Sequence, residues 1–123
     1  VGVGEFRDVK ALVDMCEAAG LHMAQLLPIN DTSVYMTYWD SYPYCALSVF
    51  ALHPLYLCLE DLSSNIPKDI QEEIEAAREE LNKAEVDYTG TMDMKRRIAR
   101  KLFELEGAAQ LASAEFQHFF ANN

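Results

Sequence analysis

A carboxylate and a hydroxyl set among flat rings are the groups in this sequence best equipped for chemistry. Residues 35–44 carry Tyr35, Tyr38, Trp39, Tyr42 and Tyr44, with Asp40 and Ser41 between them. A polar stretch, Asn30, Asp31, Thr32 and Ser33, leads into them. The rings alternate with loop-forming polar residues, so some of them are expected to face a cleft rather than a core. Such a set suits a sugar. Ring faces cover the apolar C–H faces of a pyranose, and the carboxylate and hydroxyls take its hydroxyl groups.

Other reactive side chains form no comparable pattern. His22, His53 and His118 lie far apart and share no metal-ligand spacing, so each reads as a packed or surface histidine. Cys16, Cys45 and Cys58 are odd in number and show no CxxC spacing, which reads as reduced, buried thiols of a cytoplasmic protein. No cofactor motif appears. Gly2 and Gly4 flank Val3 at the start of the chain and could bring backbone close to a ligand, or simply form a loop. No GxGxxG follows them.

Bulk properties exclude further classes. The net charge of −10 argues against a nucleic-acid partner and fits a neutral ligand. Residues 41–59 carry no formal charge, yet Pro43, Ser48, His53 and Pro54 interrupt them and the run barely reaches spanning length, so no membrane segment is expected. The opening residues contain no apolar signal core.

The elements that would position the rings follow from periodicity. Phe6, Val9, Leu12, Val13, Cys16 and Ala19 fall at spacings of three and four, which predicts an amphipathic helix with one buried stripe, stopped by Gly20. Residues 21–29, short and mostly apolar, predict a strand buried on both faces. Helix, glycine, strand and loop make half of a βα unit and indicate an α/β fold, in which ligands collect beyond strand C-terminal ends. Residues 54–59 read as a second extended run, followed by a loop over 60–65. Residues 66–87 predict an acidic helix with Ile70, Ile74, Ala77 and Leu81 inward and Pro67 in its first turn. Residues 88–91 read as a break. A basic helix marked by Met94, Ile98, Leu102 and Leu105 follows, with Lys95, Arg96, Arg97, Arg100 and Lys101 expected on its exposed side. The two arms should form a hairpin paired through their charges. Ser113 should cap a last helix carrying Phe116, Phe119 and Phe120.

Several blocks together resemble a known family. The opening Gly2-Val3-Gly4-Glu5-Phe6, the run Gln25-Leu26-Leu27-Pro28, and Asp40-Ser41-Tyr42-Pro43-Tyr44 followed by Leu47-Ser48-Val49-Phe50-Ala51 and Pro54 stand in the order and spacing of the 4-α-glucanotransferases, the amylomaltase or disproportionating-enzyme family. Asn30 to Val34, Trp39 to Tyr44, Leu52-His53-Pro54-Leu55-Tyr56-Leu57 and Phe116-Gln117-His118-Phe119-Phe120 are most similar to its plant-type cytosolic, maltose-using subgroup. Departures are local: Cys45-Ala46 stands where small hydroxyl residues are usual, and Tyr35 and Tyr38 where His and Trp are.

The resemblance implies a (β/α)8 barrel with an inserted helical segment. Such a barrel takes about 250 residues, so the chain is expected to be an N-terminal fragment of it. Residues 1–65 would hold the first βα units with the sugar-binding loop, and 66–123 a helical subdomain. The implied reaction moves α-1,4-glucosyl units from maltose or malto-oligosaccharides to a glycogen- or starch-type glucan with retention. Its catalytic carboxylates would lie outside this chain. Tyr44 matches the tyrosine that stacks on the donor glucose, with a core tyrosine behind Pro43 as the plain alternative. Asp40 and Ser41 match residues flanking that subsite, either bonding sugar hydroxyls or bracing the loop. Trp39 and Tyr42 would line an acceptor platform, and Gly2 and Gly4 would shape the adjoining loop. Rival readings are a non-catalytic α-glucan-binding module and a helical interaction protein built on residues 66–120.

Overall fold

The computed structural model describes residues 1–83 and 85–123. Four helices carry the fold: α1 (Asp8–Ala18), α2 (Lys68–Leu81), α3 (Tyr88–Ala112) and α4 (Ala114–Asn122). Three short 3₁₀ turns, Tyr38–Ser41, Pro54–Tyr56 and Leu59–Asp61, shape the segment between α1 and α2.

α1 ends as its sequence requires. Gly20 takes φ +73°, Leu21 N–H donates to the Cys16 carbonyl at 2.8 Å, and Gly20 N–H donates to Glu17 at 2.9 Å. That double closure satisfies carbonyls that a helix end leaves unpaired. The expected stripe is only partly buried. Cys16 is covered, Phe6, Val9 and Leu12 are half-buried, and Val13 and Ala19 are exposed. Phe6 packs edge-on against Tyr56 with ring centroids 5.8 Å apart, and its N–H donates to the Tyr56 carbonyl at 2.8 Å.

Residues 21–29 are not a strand. Among the described residues no strand forms, and the single ladder contact is an antiparallel bridge between Asn30 and Leu52. A buried strand needs neighbours on both edges to pair its backbone. These residues have none here, and Met23, Leu26 and Leu27 stand exposed. Residues 54–59 also depart from the extended expectation. Pro54 opens a 3₁₀ turn, His53 Nδ1 accepts from Leu55 N–H at 3.1 Å, and a second turn starts at Leu59.

The helical half follows its periodicity closely. Leu59, Ile70, Ile74, Met94, Ile98 and Leu102 form the core, with Ala77 and Leu81 packed beside it. Burying each large aliphatic side chain contributes roughly 1.5–3 kcal/mol. Glu73 of α2 pairs with both Arg97 and Lys101 of α3, one turn apart, so the acidic and basic arms do face each other.

Two helix ends and the placement of one side chain differ from expectation. α2 stops at Leu81, so residues 82, 83 and 85–87 of the expected helix are not helical, and residue 84 lies outside the described residues. α3 starts at Tyr88 rather than after a break, because the Asp87 side chain accepts from Gly90 N–H at 2.9 Å and caps it. Lys95, placed on the solvent side by its basic neighbours, is completely buried. Its Nζ donates to Glu5 Oε1 at 2.6 Å and to the Leu57 carbonyl at 2.7 Å. Ser113 caps α4 as expected, accepting from Phe116 N–H at 3.1 Å, and Phe116 stacks on Phe120.

Candidate functional site

The aromatic loop is built around one buried carboxylate. Asp40 is 5% exposed, and its Oδ2 accepts from Tyr35 N–H at 2.8 Å and Thr37 N–H at 3.4 Å. The chain wraps this carboxylate tightly enough that Met36 adopts a left-handed φ of 59°, uncommon for a residue with a side chain. The Thr32 hydroxyl donates to the Asp40 carbonyl, so the polar stretch before the loop holds the turn that carries the rings. Of the two expected roles for Asp40, its contacts are those of a brace.

A paired segment forms the base of the loop. His53 N–H donates to Ile29 at 2.9 Å, Asp31 N–H to Ala51 at 2.9 Å, and Leu47 N–H to Asp31 at 2.8 Å. Asn30 Nδ2 adds a bond to the Val49 carbonyl at 3.0 Å. Asp31 Oδ1 accepts from the Ser33 N–H at 2.9 Å and from its hydroxyl. Burial pushes the Asp31 carboxyl up, but these Ser33 bonds outweigh it and leave the carboxyl below the usual range.

The rings themselves face outward. Trp39 is 85% exposed, and Tyr38, Tyr42 and Tyr44 are exposed as well. Tyr42 and Tyr44 lie side by side, ring centroids 5.5 Å apart and tilted by 55°. The alternative of a core tyrosine is therefore not the arrangement Tyr44 adopts. Ser41 is exposed and joins Asp40 on the wall of a cavity of about 190 Å³, with Val3, Thr32, His53 and Tyr88 on other sides.

Two side chains that periodicity did not single out close this cavity. Tyr88, in the first turn of α3, is buried, and its hydroxyl lies 3.0 Å from His53 Nε2. Because His53 Nδ1 accepts from Leu55 N–H, the neutral ring carries its proton on Nε2 and donates it to the phenol oxygen. Burial depresses the His53 pKa below its ordinary value, with Asp31 and Asp40 opposing. Burial also pushes the Tyr88 phenol up to about 12, so both groups are neutral near pH 7. The clue in the sequence was register: Tyr88, Met92, Lys95, Ile98 and Leu102 recur at three- and four-residue spacing.

The glycine loop meets α3 nearby. Gly2 has φ +75°, and a Cβ placed there would fall 2.2 Å from Thr91 Oγ1, so only glycine fits. Gly4 has room, since an added Cβ would meet Asp8 Oδ2 at an ordinary 3.9 Å. Glu5 anchors the loop through Lys95. Burial pushes the Glu5 carboxyl up, but the Lys95 hydrogen bond and charge outweigh it and bring it below its ordinary value. Glu5, Cys58 and Glu60 bring three ligand-type atoms within 4.8 Å of one another. They are engaged internally: Lys95 holds Glu5, Arg78 holds Glu60, and the Cys58 thiol donates to Glu60 at 3.2 Å. Burial and the Glu60 bond push the Cys58 thiol up to about 11, which keeps it protonated and a poor metal ligand.

Exposed rings on a loop whose carboxylate is spent internally make a surface suited to the flat faces of a saccharide. The chain belongs to the 4-alpha-glucanotransferase family, whose model matches residues 1–123. It is 54% identical over 123 residues to 4-alpha-glucanotransferase DPE2 of Oryza sativa subsp. japonica, covering 100% of this chain and 13% of that protein. It is 32% identical over 105 residues to the 4-alpha-glucanotransferase of Chlamydia pneumoniae, covering 84% of this chain and 19% of the relative. With the 4-alpha-glucanotransferase of Chlamydia caviae it shares 43% identity over 61 residues, covering 50% of this chain and 11% of that protein. The chain thus spans less than a fifth of the length of these curated relatives. No solved structure matches it.

Proposed function

We propose that these residues form part of a 4-α-glucanotransferase that moves α-1,4-glucosyl units from maltose or malto-oligosaccharides to a glycogen- or starch-type glucan. The observation that carries this reading is the exposed Tyr42–Tyr44 pair, held by the buried Asp40 turn, in a chain that the family matches throughout. Tyr44 stacks on the donor glucose. Trp39 and Tyr42 extend the platform toward the acceptor, and Ser41 bonds a sugar hydroxyl. Asp40 keeps the rings in place, and Gly2 and Gly4 let the neighbouring backbone approach.

The reaction proceeds with retention. One carboxylate attacks the anomeric carbon, a second protonates the leaving oxygen, and the acceptor hydroxyl takes the place of water. Retaining geometry sets the two carboxylates about 5 Å apart. Both belong to a longer polypeptide, in which residues 1–65 supply the first βα units of a (β/α)8 barrel and 66–123 a helical subdomain. Residues 21–29 find their strand neighbours there, which accounts for their exposed apolar side chains. No helix among the described residues is long and apolar enough to cross a membrane, and Cys16, Cys45 and Cys58 are free. Free thiols fit a reducing, cytoplasmic setting.

The test is a transfer assay on the complete polypeptide with labelled maltose and glycogen. Label entering the glycogen with release of free glucose supports the reading. Binding of glucan without transfer would leave a glucan-binding module, and neither activity would leave an interaction protein. In the active enzyme, Tyr44→Ala should lower turnover by about ten-fold or more through lost positioning of the sugar. Unchanged turnover with maltose would remove Tyr44 from the site.

A further inference from the structure

The aromatic loop meets α3 across a small cavity lined by buried polar side chains. His53 donates to the Tyr88 hydroxyl, Thr32 lines the same cavity as that phenol, and the Thr32 hydroxyl donates to the Asp40 carbonyl. Asp40 in turn gathers Tyr35 and Thr37 N–H into the turn that precedes Tyr42 and Tyr44. Tyr88, His53 and Thr32 are all buried, beneath the exposed rings. The rings that could meet a ligand have few contacts of their own, being largely exposed. Their position is therefore set from below, by the Asp40 turn and the groups beneath it, among them the Tyr88 phenol hydroxyl on α3.

We infer that Tyr88 is a positioning residue for the Tyr42–Tyr44 sugar platform, acting through the His53 and Thr32 side chains on the Asp40 turn. This rests on the reading of Tyr44 as a sugar contact. The hydroxyl does two jobs that no apolar side chain can do at once. It accepts the buried His53 Nε2–H, and it shares a cavity wall with Thr32, the residue that grips the loop. Without it, the ring of residue 88 still fills the cluster with Leu55 and Met92, so the helix stays packed while the loop loses its registration.

The test uses the complete polypeptide and Tyr88→Phe, which keeps the ring. Hydrogen exchange of the peptide covering residues 35–44 should accelerate by about ten-fold while a peptide from α2 stays unchanged. At a temperature well below unfolding, kcat/KM for maltose should fall on the order of ten-fold. In a Tyr44→Ala background the same change should have no further kinetic effect, since the group being positioned is gone. Thr32→Val should reproduce the loss and Thr32→Ser should restore it, which keeps the idea testable if the Tyr88 variant fails to fold. Equal acceleration of exchange in loop and α2, or additive kinetic effects with Tyr44→Ala, would overturn the inference and leave Tyr88 a general packing residue. Exchange is read whether or not the wild type transfers glucose. A wild type without transfer sinks the glucanotransferase reading alone, and unchanged exchange at residues 35–44 sinks the positioning role alone.

Discussion

The two halves of the chain are stabilised in different ways. In α2 and α3, apolar side chains at helical spacing meet across one core that Leu59 joins, and Leu59 and Ile98 have no exposed surface. Between α1 and α2, polar side chains do most of the organising: Asp31, Thr32, Asp40 and His53 each satisfy a specific backbone or hydroxyl group, while Met23, Leu27, Val49 and Phe50 lie open. A helix satisfies its backbone locally and needs only one apolar face covered. The loop segment has no ladder to do this, so side-chain bonds take over. One half is thus tolerant in detail and strong in sum. The other depends on a few groups, each of them hard to replace.

Lys95 joins the two halves, and removing it should produce the largest effect. Lys95→Ala removes the buried ammonium that the Glu5 carboxylate and the Leu57 carbonyl share, and should cost roughly 3–5 kcal/mol in chemical denaturation. A loss below about 1 kcal/mol would be that of a surface pair and would break the contrast. Next, Ile98→Ala should cost about 2–5 kcal/mol, because it opens a cavity in the hairpin core.

A smaller effect should come from acid. Folding depresses the His53 pKa, so its contribution is full above the ordinary value of 6.5 and declines as pH falls below it. Glu5, Asp31 and Glu60 are also held below their ordinary values; in each, burial raises the carboxyl pKa but partner hydrogen bonds and charges outweigh it. Their contribution is therefore lost at lower pH still. Urea midpoints should drop from pH 7 to pH 5, and His53→Gln should flatten that part of the curve. An unchanged midpoint in the wild type would remove the histidine from the account. The smallest effect belongs to Leu27→Ser. In residues 1–123 taken alone, where this segment is open, it should shift stability by no more than about 0.5 kcal/mol, and a larger loss there would show that residues 21–29 pack as the hairpin does.

How much could be read in advance follows the same division. The acidic and basic arms, the inward set Ile70, Ile74, Ile98 and Leu102, the Gly20 stop and the Ser113 cap were legible because each depends on residues within a turn or two. The exposure of the aromatic cluster was legible from the loop-forming polar residues that alternate with the rings. Asp40 was ambiguous, because a carboxylate among rings serves equally as a sugar contact or as a brace. Lys95 was misplaced because Arg96, Arg97, Arg100 and Lys101 around it are basic and exposed, although its spacing from Met92 and Ile98 put it in the buried stripe. Residues 21–29 were assigned a strand on local apolarity, but a strand exists only when something pairs with it.

Short-range periodicity and turn chemistry therefore fix the helices, their charged faces, the Gly20 stop, the Ser113 cap and the loop rich in rings. Tertiary structure decided the inward turn of Asp40, the clamp of Lys95 on Glu5 and the contact of Tyr88 with His53. Those pairs lie 35 to 90 residues apart or hinge on which way a loop folds. No local pattern encodes such a meeting, because burial chooses the partner only after the chain has packed.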